Sequence, residues 1–510
     1  MDAHERAPRP QPRPISLTEV CARLGFEPGE AAGVVVTGVT LDSRDVHAGD
    51  LFIGLSGERV HGAQFAVRAL ADGAVAVLTD PSGRAFVPPG MPSITIDDPR
   101  GRVGEIAAEI YGRPADHLLM LGVTGTNGKT TTTYLLEAGL RAAGHRTGVV
   151  GTVGTIIDGT AFEATRTTPE ATELHALLAV MRERGVTAVA MEVSSHALAM
   201  NRVDGCRFDV AGFTQLSLDH LDFHGTAEAY FDAKARLFEP AHSRTAVVII
   251  DDDGGRRIAA AAGVEVTTLG VSGDAVWTIT DVLERSQGGY EYTLKGPGGV
   301  QRSCEVSLMG RFNVANAALA QLMLETSGVD SRAAARGIAG CPGVPGRMER
   351  VGSEEVVLVV DYAHTTDALG RAIDAVRPSG GGRVVVVFGC GGDRDPTKRE
   401  PMGEIAARRA DVVVITDDNP RSESPEAVRQ AVLAGAERVP ASERADVVVV
   451  GDRRDAIALA VRRAKVGDVV LVAGKGHEPG QEAGGVIMPF DDRVELAAAW
   501  AREHPEAELQ

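Results

Sequence analysis

Aromatic side chains, positive charge and long apolar runs are all scarce in this chain of 510 residues. Aromatic residues make up only 4% of it, and 52 lysines and arginines stand against 70 aspartates and glutamates. The formal net charge of −18 argues against nonspecific binding of nucleic acid, because such binding depends on a basic surface. No apolar run reaches the length of about 18 residues that a membrane-spanning helix needs, so we expect no membrane insertion.

Cysteine is also sparse, and its spacing excludes two kinds of site. The five cysteines, Cys21, Cys206, Cys304, Cys341 and Cys390, lie far apart and form no C-x-x-C pair. We therefore expect reduced, mostly buried thiols in a cytoplasmic protein, not zinc ligands or a disulfide framework. Residues 1–14 are rich in proline and arginine and lack an apolar core, which predicts a disordered tail and not a signal peptide.

The chain is rich in aliphatic residues and glycine, and its length predicts an α/β protein of three domains after the tail. We place these domains at 15–115, 116–346 and 347–510. The first should contain strands at 34–41 and 74–79, and the second a β-rich excursion at 276–308. In the third, apolar segments at 356–360, 383–388, 411–415 and 469–472 alternate with helical patterns. That alternation predicts a parallel, doubly wound sheet of the Rossmann type.

The most informative motif is Gly125-Thr126-Asn127-Gly128-Lys129-Thr130-Thr131, between a predicted strand and a predicted helix. A glycine-rich turn at the start of a helix presents backbone N–H groups and the helix dipole to phosphates. Lys129 would reach the β- and γ-phosphate oxygens, and the Thr130 hydroxyl would bind Mg²⁺. The spacing differs from the usual G-x-x-x-x-G-K-[ST], because five residues separate Gly122 from Gly128. The alternative is a glycine-rich turn with a surface lysine.

Two polar residues follow predicted strands of the same domain. Glu192 lies at the end of the apolar segment 188–193, and His220 follows the segment 210–216. The carboxyl ends of parallel strands meet at one edge of a sheet, so a carboxylate there, beside a phosphate loop, is placed to bind Mg²⁺. His220 could serve a second metal. Either residue alone would more often be a satisfied polar group at a strand end, but together with the loop they favour a metal site.

These motifs resemble the Mur ligases, the ATP-dependent amide-forming enzymes of peptidoglycan precursor synthesis. The runs Met-Glu-Val-Ser-Ser-His and Asp-His-Leu-Asp-Phe-His-Gly are similar to the central domain of that family. Folylpolyglutamate synthases share the architecture, but their loop usually continues Gly-Lys-Gly-Ser. The resemblance implies magnesium ligands at Thr130, Glu192 and His220. It also implies a carbamylated lysine at Lys234, whose context otherwise indicates an exposed lysine on an amphipathic helix.

The same resemblance implies the remaining ATP contacts and the catalytic set. Asn316 would contact adenine, while Arg347 and Asp361 would reach ATP from the third domain when that domain closes. The catalytic residues would be Lys129, Glu192, His220 and Lys234. The UDP-muramoyl-dipeptide would bind at Leu41, Ser43, Arg166, Thr167, Thr168, Ser194 and Arg202. Met200 stands where a glutamine is common in the family.

The motif that bears on the amino acid is Asp418-Asn419-Pro420-Arg421. Asn-Pro is ordinary turn chemistry, but Arg421 offers a bidentate fork for a carboxylate and Arg394 offers another. An amino acid with a carboxylate at its far end would need such a clamp. The quartet resembles the diaminopimelate signature of the family, and by that resemblance Gly474 and Glu478 grip the distal amino and carboxyl groups.

Taken together, the resemblance implies a ligase that uses ATP and Mg²⁺ and adds diaminopimelate to UDP-N-acetylmuramoyl-L-alanyl-D-glutamate through an acyl phosphate. We expect it to act in the cytoplasm as a monomer. The nearest alternative is a Mur ligase that adds lysine or D-Ala-D-Ala. From another class, the chain could be a nucleotide-regulated binding protein that has lost ligase activity. This alternative, a protein without ligase activity, is disfavoured by five intact residues: Lys129, Glu192, His220, Lys234 and Asp361.

Overall fold

The computed structural model describes residues 8–164, 166–285, 288–352, 355–378 and 380–504. Within these ranges, three main sheets follow one another along the chain, each with its own hydrophobic core. All five cysteines are buried as free thiols, as predicted. No helix in the described part of the chain is long and apolar enough to cross a membrane.

The first domain is built on a small parallel sheet. The strands of this domain are β1 (Ile15–Ser16), β2 (Val35–Val36), β3 (Gly38–Thr40), β4 (Asp50–Gly54), β5 (Ala76–Thr79) and β6 (Ser93–Thr95). The helices of the domain are α1 (Leu17–Leu24), α2 (Ala66–Ala71) and α3 (Val103–Ile110). The four-stranded sheet of the described residues has the order β3-β4-β5-β6. The strand predicted at 34–41 is divided into β2 and β3, and β4 and β6 were not predicted.

The segment before β1 contacts the domain through side chains. Residues 8–14 contain no helix or strand, whereas residues 1–7 of the predicted tail lie outside the described residues. Arg9 Nη1 lies 2.9 Å from Asp50 Oδ2, and the Gln11 N–H donates to Glu183 Oε1 at 2.8 Å. This stretch therefore lies against both the first and the central domain.

The central domain is organised around one extended sheet. Its strands are β7 (Leu119–Thr124), β8 (Thr147–Gly151), β9 (Gly154–Ile157), β10 (Thr160–Phe162), β11 (Ala188–Glu192), β12 (Phe208–Phe213), β13 (Ser243–Ile249), β14 (Glu265–Gly270), β15 (Trp277–Glu284), β16 (Tyr290–Lys295) and β17 (Gln301–Val306). Its helices are α4 (Lys129–Ala142), α5 (Ala171–Glu183), α6 (Ser195–Ala199), α7 (Leu221–His224), α8 (Ala227–Ala235), α9 (Asp253–Ala261), α10 (Phe312–Thr326) and α11 (Ser331–Ala339). Among described residues the strand order is β10-β9-β8-β11-β7-β12-β13-β14-β15-β16-β17.

The register of this sheet brings its polar strand ends together. β7 lies between β11 and β12, and all three run parallel. Glu192 pairs with Val123, and Phe213 pairs with Thr124, so the chain leaves all three strands at the same edge. The predicted β-rich excursion is confirmed as β15 to β17, which pair in antiparallel fashion and extend the same sheet.

The C-terminal domain has the predicted doubly wound sheet. Its strands are β18 (Glu349–Arg350), β19 (Val357–Asp361), β20 (Val384–Phe388), β21 (Val412–Ile415), β22 (Asp446–Val449), β23 (Val469–Ala473), β24 (Gly480–Ala483) and β25 (Val486–Pro489). Its helices are α12 (Thr366–Ala375), α13 (Arg399–Arg409), α14 (Pro425–Glu437), α15 (Arg453–Arg463) and α16 (Asp492–Glu503). Within the described residues the main sheet has the order β18-β19-β23-β20-β21-β22, parallel except for β18. β20 and β23 are buried throughout, which explains their near-continuous valine runs.

Candidate active site

The glycine-rich loop joins β7 to α4, as predicted, and its two glycines are required by its geometry. Gly125 has φ 143° and Gly128 has φ 91°, conformations that other residues rarely adopt. A Cβ atom on Gly125 would lie 1.9 Å from Thr214 Oγ1, and one on Gly128 would lie 2.6 Å from Asn316 Oδ1. The loop therefore packs closely against both neighbours, with the N-terminus of α4 at its end.

Two lysines point at the same loop carbonyl. Lys129 Nζ donates to Gly125 O at 3.0 Å and to Thr126 O at 2.9 Å, and Lys234 Nζ donates to Gly125 O at 2.8 Å. Lys234 is only 1% exposed and lies over the Tyr230 ring at 4.5 Å, so it is not the exposed helix lysine of the alternative interpretation. Burial, and then the charge of Lys129, lower the pKa of Lys234 well below its ordinary value. The Lys234 amine is therefore driven toward its neutral form.

Glu192 is buried beside the start of α4, where three hydrogen bonds orient its carboxylate. The Thr130 hydroxyl donates to Oε2 at 3.0 Å. Thr152 donates twice, from its backbone N–H to Oε1 at 2.8 Å and from its hydroxyl to Oε2 at 3.1 Å. The sequence analysis did not single out Thr152, which follows β8 in a run of small residues without a motif. The predicted pair Thr130 and Glu192 is thus brought together, with Thr152 as an additional partner.

His220 lies farther out than the other predicted metal ligands. Its side chain is 44% exposed, its backbone has φ 55°, and its Nε2 lies 3.5 Å from Asp219 Oδ2. The His196 ring packs edge-on against it, with ring centroids 4.7 Å apart. Among the described residues, no three His, Cys, Asp or Glu side chains converge closely enough to form a protein-only metal site.

A cavity of about 380 Å³ lies between the central and C-terminal domains. Of the predicted nucleotide residues, Asn127, Gly128, Thr131, Asn316, Arg347 and Asp361 line it, whereas Gly125, Thr126, Lys129 and Thr130 are not in its lining. Arg347 lies over the Tyr362 ring at 4.4 Å and donates from Nη2 to Thr130 Oγ1 at 3.3 Å. Asp361 accepts N–H bonds from Met348 and Ala363, each at 2.8 Å, and burial raises its pKa. Residues from two domains therefore enclose one nucleotide-sized space.

The residues predicted for the muramoyl-dipeptide lie near Glu192 in the central domain and at the end of β3 in the first. The Thr168 hydroxyl donates to Glu192 O at 2.9 Å and accepts from the Ser194 N–H at 3.1 Å. Arg202 Nε lies 2.9 Å from Glu170 Oε1, and Arg202 Nη2 lies 3.3 Å from Met200 Sδ. Further predicted residues are placed as follows: Thr167 Oγ1 lies 3.1 Å from Thr152 Oγ1, Arg166 is exposed beside Glu173, and Leu41 and Ser43 follow β3.

In the C-terminal domain, Asn419 and Glu478 meet at a buried lysine. Asn419 Nδ2 donates to Glu478 Oε2 at 2.9 Å. Lys475 Nζ donates to Asn419 Oδ1 at 3.0 Å and lies 3.1 Å from Glu478 Oε2, with its side chain fully buried. No role was predicted for Lys475 from the sequence, because burial of a lysine leaves no mark in sequence. Gly474 is also required, since a Cβ atom there would lie 2.6 Å from Asp418 Oδ2.

The two predicted clamp arginines flank a glycine turn. A Cβ atom on Gly391 would lie 3.0 Å from Arg421 Nη1 and 3.8 Å from Arg394 Cγ. Arg421, with φ 51°, donates from Nη1 to Gly392 O at 2.7 Å, and its Nε lies 3.3 Å from Glu482 Oε2. Arg394 is exposed. Arg394 and Arg421 therefore approach the same turn, and the backbone oxygen of Asn419 lies at that turn as well. We call Arg394, Arg421, Asn419 and Glu478 the arginine pocket.

The C-terminal domain contacts the central site through the loop after β23. His477 Nε2 lies 3.1 Å from Thr152 O. Because a carbonyl oxygen only accepts, Nε2 must carry the proton. Burial lowers the pKa of His477 to about 4, so the ring is neutral at pH 7. The loop that supplies Lys475 and Glu478 is thus joined to the residue that orients Glu192.

Family models match all three domains of the chain. The Mur ligase family catalytic domain matches residues 35–111, the Mur ligase middle domain residues 123–324, and the Mur ligase glutamate ligase domain residues 346–476. The chain belongs to the Mur ligase family. The predicted α/β architecture of three domains is confirmed with it.

Relatives from three genera cover nearly the whole chain. UDP-N-acetylmuramoyl-L-alanyl-D-glutamate–2,6-diaminopimelate ligase of Streptomyces avermitilis is 52% identical, over 96% of this chain and 98% of its own. The enzyme of that name from Corynebacterium glutamicum is 47% identical, over 92% of this chain and 93% of its own. A UDP-N-acetylmuramyl-tripeptide synthetase of Leifsonia xyli is 46% identical, over 97% of each chain.

Solved structures agree with this family assignment. A structure of UDP-N-acetylmuramoyl-L-alanyl-D-glutamate–2,6-diaminopimelate ligase has a TM-score of 0.69 and 34% identity, covering 96% of this chain and 100% of its own. MurF ligase from Thermotoga maritima in complex with ADP has a TM-score of 0.64 at 20% identity, covering 92% of this chain and 98% of its own. The second likeness concerns the fold alone.

Proposed function

We propose that this protein is an ATP-dependent amide ligase that joins diaminopimelate to UDP-N-acetylmuramoyl-L-alanyl-D-glutamate in peptidoglycan precursor synthesis. The observation that carries the proposal is the cluster of Asn419, Glu478 and Arg421 in the C-terminal domain, which the loop of His477 links to the phosphate-loop side of the central domain. An arginine fork suits the distal carboxylate of diaminopimelate. The names and high identity of the relatives support the same substrates.

The nucleotide cavity fits ATP on three grounds. Gly125 and Gly128 adopt the positive φ values that turn the loop into the N-terminus of α4, where backbone N–H groups can face phosphates. Asn127 Nδ2 is buried without a hydrogen-bond partner in the described part of the chain, so a donor is left for a ligand. Arg347 and Asp361 would hold the nucleotide from the C-terminal domain, and Asn316 would hold the base.

The residues around Glu192 also fit Mg²⁺. This ion usually takes one or two protein oxygens and fills its other positions with water and phosphate, and Thr130 and Glu192 offer such a pair. A carbamate on Lys234 would add a hard oxygen ligand, and His220 would complete a second site. Bound Mg²⁺ would supply positive charge to the phosphate oxygens. The neutral amine favoured by burial is the form of Lys234 that reacts with CO₂.

The reaction we propose has two steps. The side-chain carboxylate of D-glutamate attacks the γ-phosphate of ATP, which releases ADP and leaves an acyl phosphate. The amine of diaminopimelate then attacks the acyl carbon, and phosphate leaves as the amide forms. Two anions must meet in the first step, so Lys129 at the end of the phosphate loop offsets their repulsion.

The remaining predicted residues would orient the two other substrates. Leu41 and Ser43 of the first domain would bind the UDP end, and Arg166, Thr167, Thr168, Ser194 and Arg202 the muramoyl-dipeptide. Asp418, Asn419, Pro420, Gly474 and Glu478 would shape the diaminopimelate pocket, with Arg394 and Arg421 on its distal carboxylate. Because Thr168 bonds to the backbone of Glu192, the dipeptide would lie beside the phosphate site.

We also infer that the protein acts as a monomer in the cytoplasm. One chain supplies all of the proposed site residues from its three domains. Five buried free thiols suit a reducing compartment. Light scattering at micromolar concentration should give the mass of a single chain, and twice that mass would exclude the monomer.

Amino-acid-dependent phosphate release tests the proposed function. ATP, Mg²⁺ and UDP-N-acetylmuramoyl-L-alanyl-D-glutamate are combined with diaminopimelate, lysine or D-Ala-D-Ala, and phosphate and tripeptide product are measured. Of the three amino-acid substrates, we expect only diaminopimelate to give rapid release of phosphate. Comparable kcat/KM with lysine would exclude the proposed amino-acid choice, and no release with any of the three would exclude a ligase.

A further inference from the structure

The loops that carry Arg394 and Arg421 are fastened to each other by an ion pair outside the pocket. Glu423 follows Arg421 by two residues, and Arg399 begins α13 after the loop of Arg394. Arg399 Nη1 donates to Glu423 Oε2 at 2.9 Å, and Nη2 donates to Oε1 at 2.7 Å. This is a bidentate fork, the most geometrically specific form of such a pair.

The same carboxylate also binds the backbone of the Arg394 loop. The Asp393 N–H donates to Glu423 Oε1 at 2.6 Å. In return, Asp393 accepts from the Ser422 hydroxyl at 2.7 Å and from the Ser422 N–H at 3.1 Å. We call Asp393, Arg399, Ser422 and Glu423 the brace. It connects the residue before Arg394 with the two residues after Arg421.

The two loops are also in direct backbone contact. The Gly392 N–H donates to Asn419 O at 2.9 Å, and a Cβ atom on Gly392 would lie 2.0 Å from Pro420 O. Asp393 and Arg421 both have positive φ, at 52° and 51°. Such conformations are strained outside glycine and persist only where surrounding contacts enforce them. The brace provides those contacts at Asp393 and at Ser422, the residue after Arg421. The Arg421 backbone itself bonds to Glu482 O at 3.1 Å and to the Gly484 N–H at 2.8 Å.

Within the brace, the Arg399–Glu423 pair combines a buried side chain with opposite charges. Arg399 is 7% exposed, and its guanidinium lowers the pKa of Glu423. A buried arginine that loses its partner leaves an uncompensated charge, so the pair acts as a unit. Neither side chain is among the residues predicted to contact substrate.

We propose that Arg399 and Glu423 are positioning residues that set the separation of Arg394 and Arg421 and thereby select an amino acid with a distal carboxylate. This inference rests on the proposed function. A carboxylate is bound well only when its donors are already in place, because ordering loose arginine loops costs affinity. Lysine has no distal carboxylate, so its weak use does not depend on the brace. Loss of the brace therefore weakens the binding of diaminopimelate and leaves the use of lysine as a substrate unchanged.

The experiment compares Glu423→Ala, Glu423→Gln and Arg399→Met with the wild type and with Glu495→Ala. Glu495 is the matched control, because it forms a bidentate pair with Arg454 in the same domain, at 2.7 and 2.8 Å, away from the pocket. For each protein, KM and kcat are measured for diaminopimelate and lysine, together with KM for ATP and for the UDP-muramoyl-dipeptide. Thermal melting verifies that each variant is folded.

We expect Glu423→Ala and Arg399→Met to raise the KM for diaminopimelate about fivefold to tenfold, with kcat within about twofold of wild type. The KM for ATP and for the UDP-muramoyl-dipeptide should stay within about twofold, and preference over lysine should fall by the same factor as the diaminopimelate KM rises. Glu423→Gln should recover most of the affinity, because its amide oxygen still accepts from Asp393 N–H and Arg399. Glu495→Ala should match wild type.

Two results overturn the inference. One is a diaminopimelate KM unchanged in folded Glu423→Ala. The other is a rise in the KM of all three substrates together, which indicates general loosening of the domain. The proposed function fails separately, in the wild type: an enzyme that does not prefer diaminopimelate overturns both, whereas a preference that survives loss of the brace overturns the inference alone.

Discussion

The phosphate site of the central domain and the arginine pocket of the C-terminal domain differ in how they present positive charge. In the first, Lys129 and Lys234 converge on one carbonyl at the ends of buried parallel strands. In the second, Arg394 and Arg421 extend from loops, and Arg421 retains 22% exposure of its side chain. The lysines of the first site therefore come from helices α4 and α8, and the arginines of the second come from loops.

This difference follows from what each cation can do. Burial lowers the pKa of Lys234 well below its ordinary value, which favours the neutral amine. Burial also lowers the pKa of Lys129, but there the charge of Glu192 opposes the shift, which favours the cation that the phosphates need. Neutral lysine is what carbamylation requires. An arginine stays protonated in proteins and offers a planar fork that matches a carboxylate. Under the proposed function, the lysines would serve chemistry on phosphate, and the arginines would serve recognition of a carboxylate.

The largest expected effect is at the phosphate loop. Lys129→Ala should lower kcat by about 100-fold to 1,000-fold, since it removes the charge placed to offset two approaching anions. Phosphate release measures the rate, and thermal melting tests the fold. The surface variant Lys465→Ala is the control and should keep full activity. Near-wild-type turnover in folded Lys129→Ala would remove the loop from the mechanism.

Lys234 tests whether a buried lysine acts as a carboxylate. Lys234→Ala should lower kcat by about 10-fold to 100-fold, the usual result of disturbing a metal environment. Added acetate should restore part of the activity, because its oxygens can occupy the space of the carbamate.

Lys234→Met is the matched control for that rescue. Its side chain fills the same space, so acetate should not help it. Full activity of Lys234→Ala without acetate would show that Lys234 has only a packing role.

Arg421 tests the arginine side of the comparison. Arg421→Ala should raise the KM for diaminopimelate about tenfold, because a charge-assisted bidentate pair contributes roughly 1.5–3 kcal/mol. The KM for ATP should change little, since the first half-reaction does not use this pocket. Steady-state kinetics with each substrate varied in turn decide the matter, and an equal change in every KM would count against the clamp.

The smallest expected effect is at Thr152, the hydroxyl donor to Glu192. Thr152→Val keeps the shape and the backbone N–H but loses one hydrogen bond, so kcat should fall about fivefold. Thr152→Ser should restore it. If both variants equal wild type, orientation of Glu192 does not depend on this hydroxyl.

Some of the fold was readable from local pattern. The valine runs of the C-terminal domain predicted its sheet, and the run from Gly125 to Thr131 predicted a strand, a turn and a helix start. Each signal lies within a few consecutive residues. The strands β4 and β6 were missed because their pairing with β5, and not a local pattern, defines them.

The roles of residues that contact partners far away in the sequence could not be predicted from local pattern. Thr152 is defined by Glu192, 40 positions away, and Lys475 by Asn419, 56 positions away. The ion pair of Arg399 with Glu423 likewise joins two loops on different strands. Each of these side chains has an ordinary sequence context, so only folding reveals its partner.

The sequence by itself determined the phosphate loop, the alternation of strands and helices and the arginine motif, because glycine conformation, hydrophobic period and side-chain chemistry are properties of neighbouring residues. Only the tertiary structure decided which cations are buried and which remain in solvent. Burial depends on what packs around a side chain from elsewhere in the chain, and it separates the buried Lys234 from the exposed Arg394.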